Sequence, residues 1–153
     1  MKTVLVLNTG SSSVKASLLC KQSSCEATFN THTRLITAHA ERLGTQESSL
    51  HITIFAKLIH RLLISSCVNT FEEIDPLSLK ETESIEIAKR KMDHNCAIQT
   101  IIELIRSQSE ALFSSITAVG HRVVHGGTLL LDAIVINETV LQSIENVTHL
   151  APL

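Results

Sequence analysis

Two strand-like runs lie close together near the start of the sequence. Residues 3–8, Thr-Val-Leu-Val-Leu-Asn, are rich in β-branched and aliphatic side chains, and Val14 to Cys20 is a second run of the same kind. Only Thr9-Gly10-Ser11-Ser12-Ser13 separates them. Two strands joined by so short a polar link make an antiparallel hairpin. Further strand-like segments at about 25–30, 34–42 and 50–55 extend the hairpin into a meander.

Beyond the meander the pattern changes. Leu58 to Ile64 is an apolar run equally compatible with strand and helix, and residues 65–91 are polar, with Pro76 and mixed charges. They read as a loop followed by a surface helix. Asp93 can cap a helix running to about Gln108, with Ile98, Ile101, Ile102 and Ile105 on one apolar face. Thr117 to His125 reads as a strand closed by Gly126-Gly127, and Asp132 to Ile136 as another. Asn137 then caps a last helix from Glu138 to about Asn146. Strands first, then helix and strand in alternation, predict an α/β fold with a mixed sheet.

The composition limits what such a fold can do. The chain has 153 residues, enough for one domain with a buried core. A net charge of -2 lacks the basic excess of a nucleic-acid surface. Four Phe, with no Trp or Tyr, supply no stacking platform for single strands and leave the core to Leu, Ile, Val and Ala. No apolar run nears the roughly 20 residues of a membrane span, and the start is too short for a signal peptide. Cys20, Cys25, Cys67 and Cys96 lack CxxC spacing, which favours reduced thiols over a zinc or disulfide framework. A cytoplasmic setting follows, in which the Asn-x-Thr triplets at Asn137 and Asn146 have no glycan to carry.

Two motifs carry candidate chemistry. In Asn8-Thr9-Gly10-Ser11-Ser12-Ser13-Val14-Lys15, Gly10 and three hydroxyls gather backbone N–H groups and side-chain donors in a small volume, with Lys15 as a point charge for phosphate. Asn8 ends the first strand and offers a neutral oxygen to a hydrated Mg²⁺ or to a phosphoryl group. The spacing is not that of a P-loop, and the following strand supplies no helix dipole. An ordinary serine-rich turn with a solvated lysine has the same residues.

The second motif is Gly120-His121-Arg122-Val123-Val124-His125-Gly126-Gly127. On a strand, Arg122 and Val124 share one face, and His121, Val123 and His125 the other. A guanidinium beside a small branched side chain suits a short-chain carboxylate, the fork gripping both oxygens and the valine meeting the alkyl end. His121 and His125 are alternatively metal ligands or hydrogen-bonded structural histidines, and no acidic third ligand lies near them in sequence.

Taken in this order, the two motifs resemble the acetate kinase (acetokinase) family. Met92-Asp93-His94 leading to Ala97, Val135-Ile136-Asn137, and the closing Leu150-Ala151-Pro152-Leu153 agree with it. The resemblance spans nearly the whole chain and is weakest over 21–91. It implies a ribonuclease-H-like domain of the actin/Hsp70/sugar kinase superfamily, a mixed sheet with flanking helices. It also implies phosphoryl transfer between ATP and acetate or propionate, giving acyl phosphate and ADP with Mg²⁺. By the same resemblance Asn8 belongs to the magnesium and phosphate site, and Lys15 to the ATP side with Gly10, Ser11, Ser12 and Ser13. Arg122 binds the carboxylate, and Val124 and Leu153 line the alkyl pocket.

Family members are much longer, and the apolar end His149-Leu150-Ala151-Pro152-Leu153 carries no stop signal. The expectation is therefore the N-terminal domain of such a kinase over residues 1–153, lacking the C-terminal domain. The family's acid and phosphoryl stabilisers have no counterpart here, so no catalytic residue is assigned. The chain alone is expected to be nearly inactive, and either to self-associate or to pair with a separate C-terminal half. A non-catalytic ligand- or partner-binding module of the same fold is the alternative.

Overall fold

The computed structural model describes residues 1–21, 32–67, 83–87 and 91–150, with the backbone alone at 21, 61, 62 and 64–67. The chain divides into two compact units, Met1–His121 and Arg122–Leu153.

The first unit is built on one sheet. Strands β1 (Thr3–Gly10), β2 (Ser13–Lys21), β3 (His32–Glu41), β4 (Ser49–Ile54) and β5 (Glu83–Ile87) pair antiparallel in succession. A last strand, β6 (Ile116–His121), adds parallel to β1 and makes the sheet mixed, in the order β5-β4-β3-β2-β1-β6. Period-two alternation decides the faces. Leu5 and Leu7, Val14, Ala16 and Leu18, Ala38 and Ala40, and Leu50, Ile52 and Ile54 are all buried on one side. A bulge between Leu18 and Leu19 places both Leu35 and Ile36 in the core.

Three helices, α1 (Ala56–Cys67), α2 (His94–Gln108) and α3 (Glu110–Ser114), pack with this apolar side. The ambiguous run at 58–64 is helical: Leu58 and Ile59 are buried, and Leu63, one turn beyond Ile59, packs on the core. In α2, Ala97, Ile101 and Ile105 are buried, and the Asp93 carboxylate caps the helix by accepting from the Cys96 N–H at 2.7 Å. The Arg106 guanidinium lies 4.3 Å from the centre of the Phe113 ring, joining α2 to α3. Among the described residues, no helix is long and apolar enough to cross a membrane.

The structure changes three of the sequence expectations. Residues 83–87 are a strand, not part of a surface helix, because Ile85 and Ile87 alternate with Ser84 and Glu86 and pair with β4. The expected strand over 117–125 ends at His121, where the β1–β6 ladder ends with the pair Leu7↔His121. Residues 132–136 form no strand: the apolar side chains Ile134, Val135 and Ile136 are exposed and have no ladder partner. The strand expected at 25–30 lies outside the described residues.

The second unit carries α4 (Glu138–Asn146) and a 3-10 turn, Thr148–Leu150. The Asn137 side chain caps α4, accepting from the Val140 N–H at 2.9 Å. The Gly126-Gly127 turn is closed by the Leu130 N–H donating to the Gly126 carbonyl at 3.1 Å.

Candidate functional site

The tip of the β1–β2 hairpin gathers most of the first motif. Gly10↔Ser13 is the last cross-strand pair, so Ser11-Ser12 is a two-residue loop, and both serines are exposed. Asn8 and Lys15 lie directly opposite each other one pair below Thr9↔Val14. Alternation puts them on the face away from the core, because their neighbours Leu7, Val14 and Ala16 are buried. Asn8 is half-buried and Lys15 exposed. An amide oxygen, an ammonium and a turn of small residues thus occupy one corner of the sheet.

Two other segments hold that corner. The Gly10 carbonyl lies 2.7 Å from His94 Nε2, at the first residue of α2. A carbonyl can only accept, so the ring nitrogen carries the proton. The Ser12 carbonyl accepts from the Leu43 N–H at 3.0 Å. Leu43 belongs to a tight β3–β4 connection in which Arg42 (φ 52) and Gly44 (φ 84) adopt left-handed backbone. The buried Ser48 hydroxyl sits 2.8 Å from both the Arg42 and Thr45 carbonyls, and the Gly44 N–H reaches the Met92 carbonyl at 2.8 Å. Neither contact is readable from periodicity or spacing: His94 is far from Gly10 in sequence, and the Met92-Asp93-His94 stretch, though part of the family resemblance, does not say what the His94 ring touches.

The second motif departs from its expected geometry. Arg122 and Val124 lie beyond the end of β6, in irregular backbone, and both are exposed. The alternation that gave them a common face therefore does not apply to them. His121 is the last residue of β6, its Nε2 3.3 Å from the Thr9 hydroxyl. His125 accepts from the Gly127 N–H through Nδ1 at 3.0 Å. Both are hydrogen-bonded histidines, and among the described residues no group of three or more His, Cys, Asp or Glu is placed to hold a metal. Leu153 lies outside the described residues.

The model of the acetokinase family matches residues 43–153. This chain belongs to the acetokinase family. An acetate kinase of Carboxydothermus hydrogenoformans is 33% identical over 153 residues, which cover 98% of this chain and 30% of the relative. Acetate kinase 2 of Photobacterium profundum is 35% identical over 150 residues, 98% of this chain and 29% of the relative. The chain thus spans about 30% of the length of the curated relatives it matches.

Among solved structures, a propionate kinase from Francisella tularensis aligns with a TM-score of 0.65 at 24% identity, over 100% of this chain and 30% of that one. Porphyromonas gingivalis acetate kinase aligns with a TM-score of 0.63 at 26% identity, over 100% and 31%. The fold of this acetokinase-family chain is accordingly α/β, the mixed sheet with flanking helices of the actin/Hsp70/sugar kinase class.

Proposed function

We propose that this chain carries the phosphate-turn part of a short-chain carboxylate kinase, which transfers phosphoryl between ATP and acetate or propionate. One observation carries the reading: Asn8 and Lys15 face each other on the exposed side of the sheet, at the base of the Gly10–Ser13 turn. An ammonium and backbone N–H groups suit the phosphates of a nucleotide. A half-buried amide oxygen suits Mg²⁺ that keeps its waters and takes its remaining ligands from phosphate. Asn8 fits that role, with no carboxylate needed beside it. When bound, Mg²⁺ supplies charge neutralisation between the phosphates. Arg122 is assigned to the substrate carboxylate, and Val124 and Leu153 to its alkyl end. These three assignments rest on family resemblance.

Phosphoryl transfer depends on charge stabilisation around the whole transferring group, at about 10²–10³ in rate per lost contact. One lysine and one turn supply little of it, so the 153-residue chain alone turns over several powers of ten below an ordinary kinase. Cysteine spacing and the lack of a membrane-length helix among the described residues support a cytoplasmic setting. The exposed Leu129, Leu131 and Val135 support self-association or pairing with a C-terminal half.

The test joins a steady-state acetyl phosphate assay to calorimetry of the same chain with Mg·ATP, acetate and propionate. The expected result is measurable Mg·ATP affinity with almost no turnover, and recovery of turnover on mixing with a separately made C-terminal half. Kinase-level turnover by the chain alone overturns the inactivity. Absence of any nucleotide binding overturns the phosphate-turn reading.

A further inference from the structure

We infer that His94 is a positioning residue for the anion-binding turn, acting through the Gly10 carbonyl; this rests on the phosphate-turn reading above. The peptide unit joining Gly10 to Ser11 is planar and trans, so the Gly10 C=O and the Ser11 N–H point in opposite directions. His94 Nε2–H holds that carbonyl at 2.7 Å, and in doing so fixes which way the Ser11 N–H faces. Ser11 is exposed, so the N–H is held ready for an anion arriving from solvent. The Leu43 N–H on the Ser12 carbonyl, 3.0 Å away, steadies the other end of the two-residue loop.

The position of His94 makes it a firm anchor. It is the first residue of α2, whose start is fixed by the Asp93 cap and whose next turns bury Ala97 and Ile101 against the sheet. A donor on a packed helix is better held than one on a loop, and preorganised donors lose little entropy when the ligand binds. A flexible loop of small residues gains most from such a clamp.

The test uses the 153-residue chain with amide NMR, inorganic phosphate as probe, and thermal melting as a control. In the wild type, phosphate is expected to shift the amides of Ser11 to Lys15. His94→Ala should weaken that binding by about tenfold, the scale of one hydrogen bond to a charged group. Glutamine carries an N–H donor at nearly the reach of His Nε2, so His94→Gln should restore affinity to within about twofold. A structural role alone moves melting temperature but not the affinity of the folded fraction. Equal phosphate affinity in wild type and His94→Ala overturns the positioning role and leaves the phosphate turn standing. No phosphate shift in the wild type overturns both. If His94→Ala does not fold, weak binding by a folded His94→Gln is the result that overturns the proposal.

Discussion

Asn8 and Lys15 are direct cross-strand partners, and the two-residue Ser11-Ser12 loop lies above them at the hairpin tip. Direct partners in a ladder sit close enough for their side chains to act on one ligand. Lys15→Ala should therefore weaken Mg·ATP binding about ten- to a hundredfold by calorimetry, the scale of a charge-assisted contact. Its stability should change by no more than about 0.5 kcal/mol, since the side chain is exposed. Asn8→Asp keeps the shape but sets a carboxylate beside the phosphates, and should also weaken binding. Unaltered affinity in both variants would separate this pair from the ligand.

The start of α2 is fixed by one carboxylate. Asp93 accepts from the Cys96 N–H at 2.7 Å, so Asp93→Ala should cost about 1 kcal/mol in urea unfolding, and Asp93→Asn much less. The same helix orders its isoleucines by depth. Ile101 is 1% exposed and Ile102 only partly buried, so Ile101→Ala should cost about 2–5 kcal/mol and Ile102→Ala clearly less. Equal losses at 101 and 102 would mean that α2 is rotated from the position described.

How far these features are legible in the sequence depends on whether local pattern or tertiary pairing decides them. The β1–β2 hairpin, the β3 and β4 strands and both helix caps follow from alternation and from Asp93 and Asn137, which are local signals. Strand β5 is hidden because its short Ile85/Ile87 alternation sits in a polar stretch and needs β4 beside it to be a strand at all. The reverse error occurs at 122–125 and 132–136. Val123, Val124, Ile134, Val135 and Ile136 have strong strand propensity, but no ladder partner holds them. At the site, the residues of the turn are readable, whereas the His94 and Leu43 clamps are long-range contacts that no spacing encodes.

The two glycines that close the second motif are required by shape. A Cβ on Gly126 would collide with the Leu130 carbonyl and side chain, and Gly127 has φ +66, with Val147 Cγ1 3.0 Å from where its Cβ would be. Gly126→Ala should therefore open the 126–130 turn, while Gly127→Ala should cost about 1–2 kcal/mol from backbone conformation alone. Amide exchange at Leu130, whose N–H donates to the Gly126 carbonyl, reports the first directly. Unchanged protection of that amide in Gly126→Ala would show that the turn tolerates a side chain.

Burial on β2 gives the chain an alkaline weakness. Cys20 is 3% exposed, and burial raises its thiol pKa above the ordinary 9.0, outweighing the opposite pull of the chain's amino terminus. The neutral thiol is thus favoured in the folded state. Below pH 9.0 both states keep the proton, and the contribution is fully present. Above it the unfolded chain loses the proton first, so stability falls with rising pH until the folded thiol also ionises. Chemical unfolding at pH 8 and pH 10.5 should show a larger loss for the wild type than for Cys20→Ala, which has no thiol to ionise at that position. Parallel losses in the two proteins would assign the alkaline weakness to other groups.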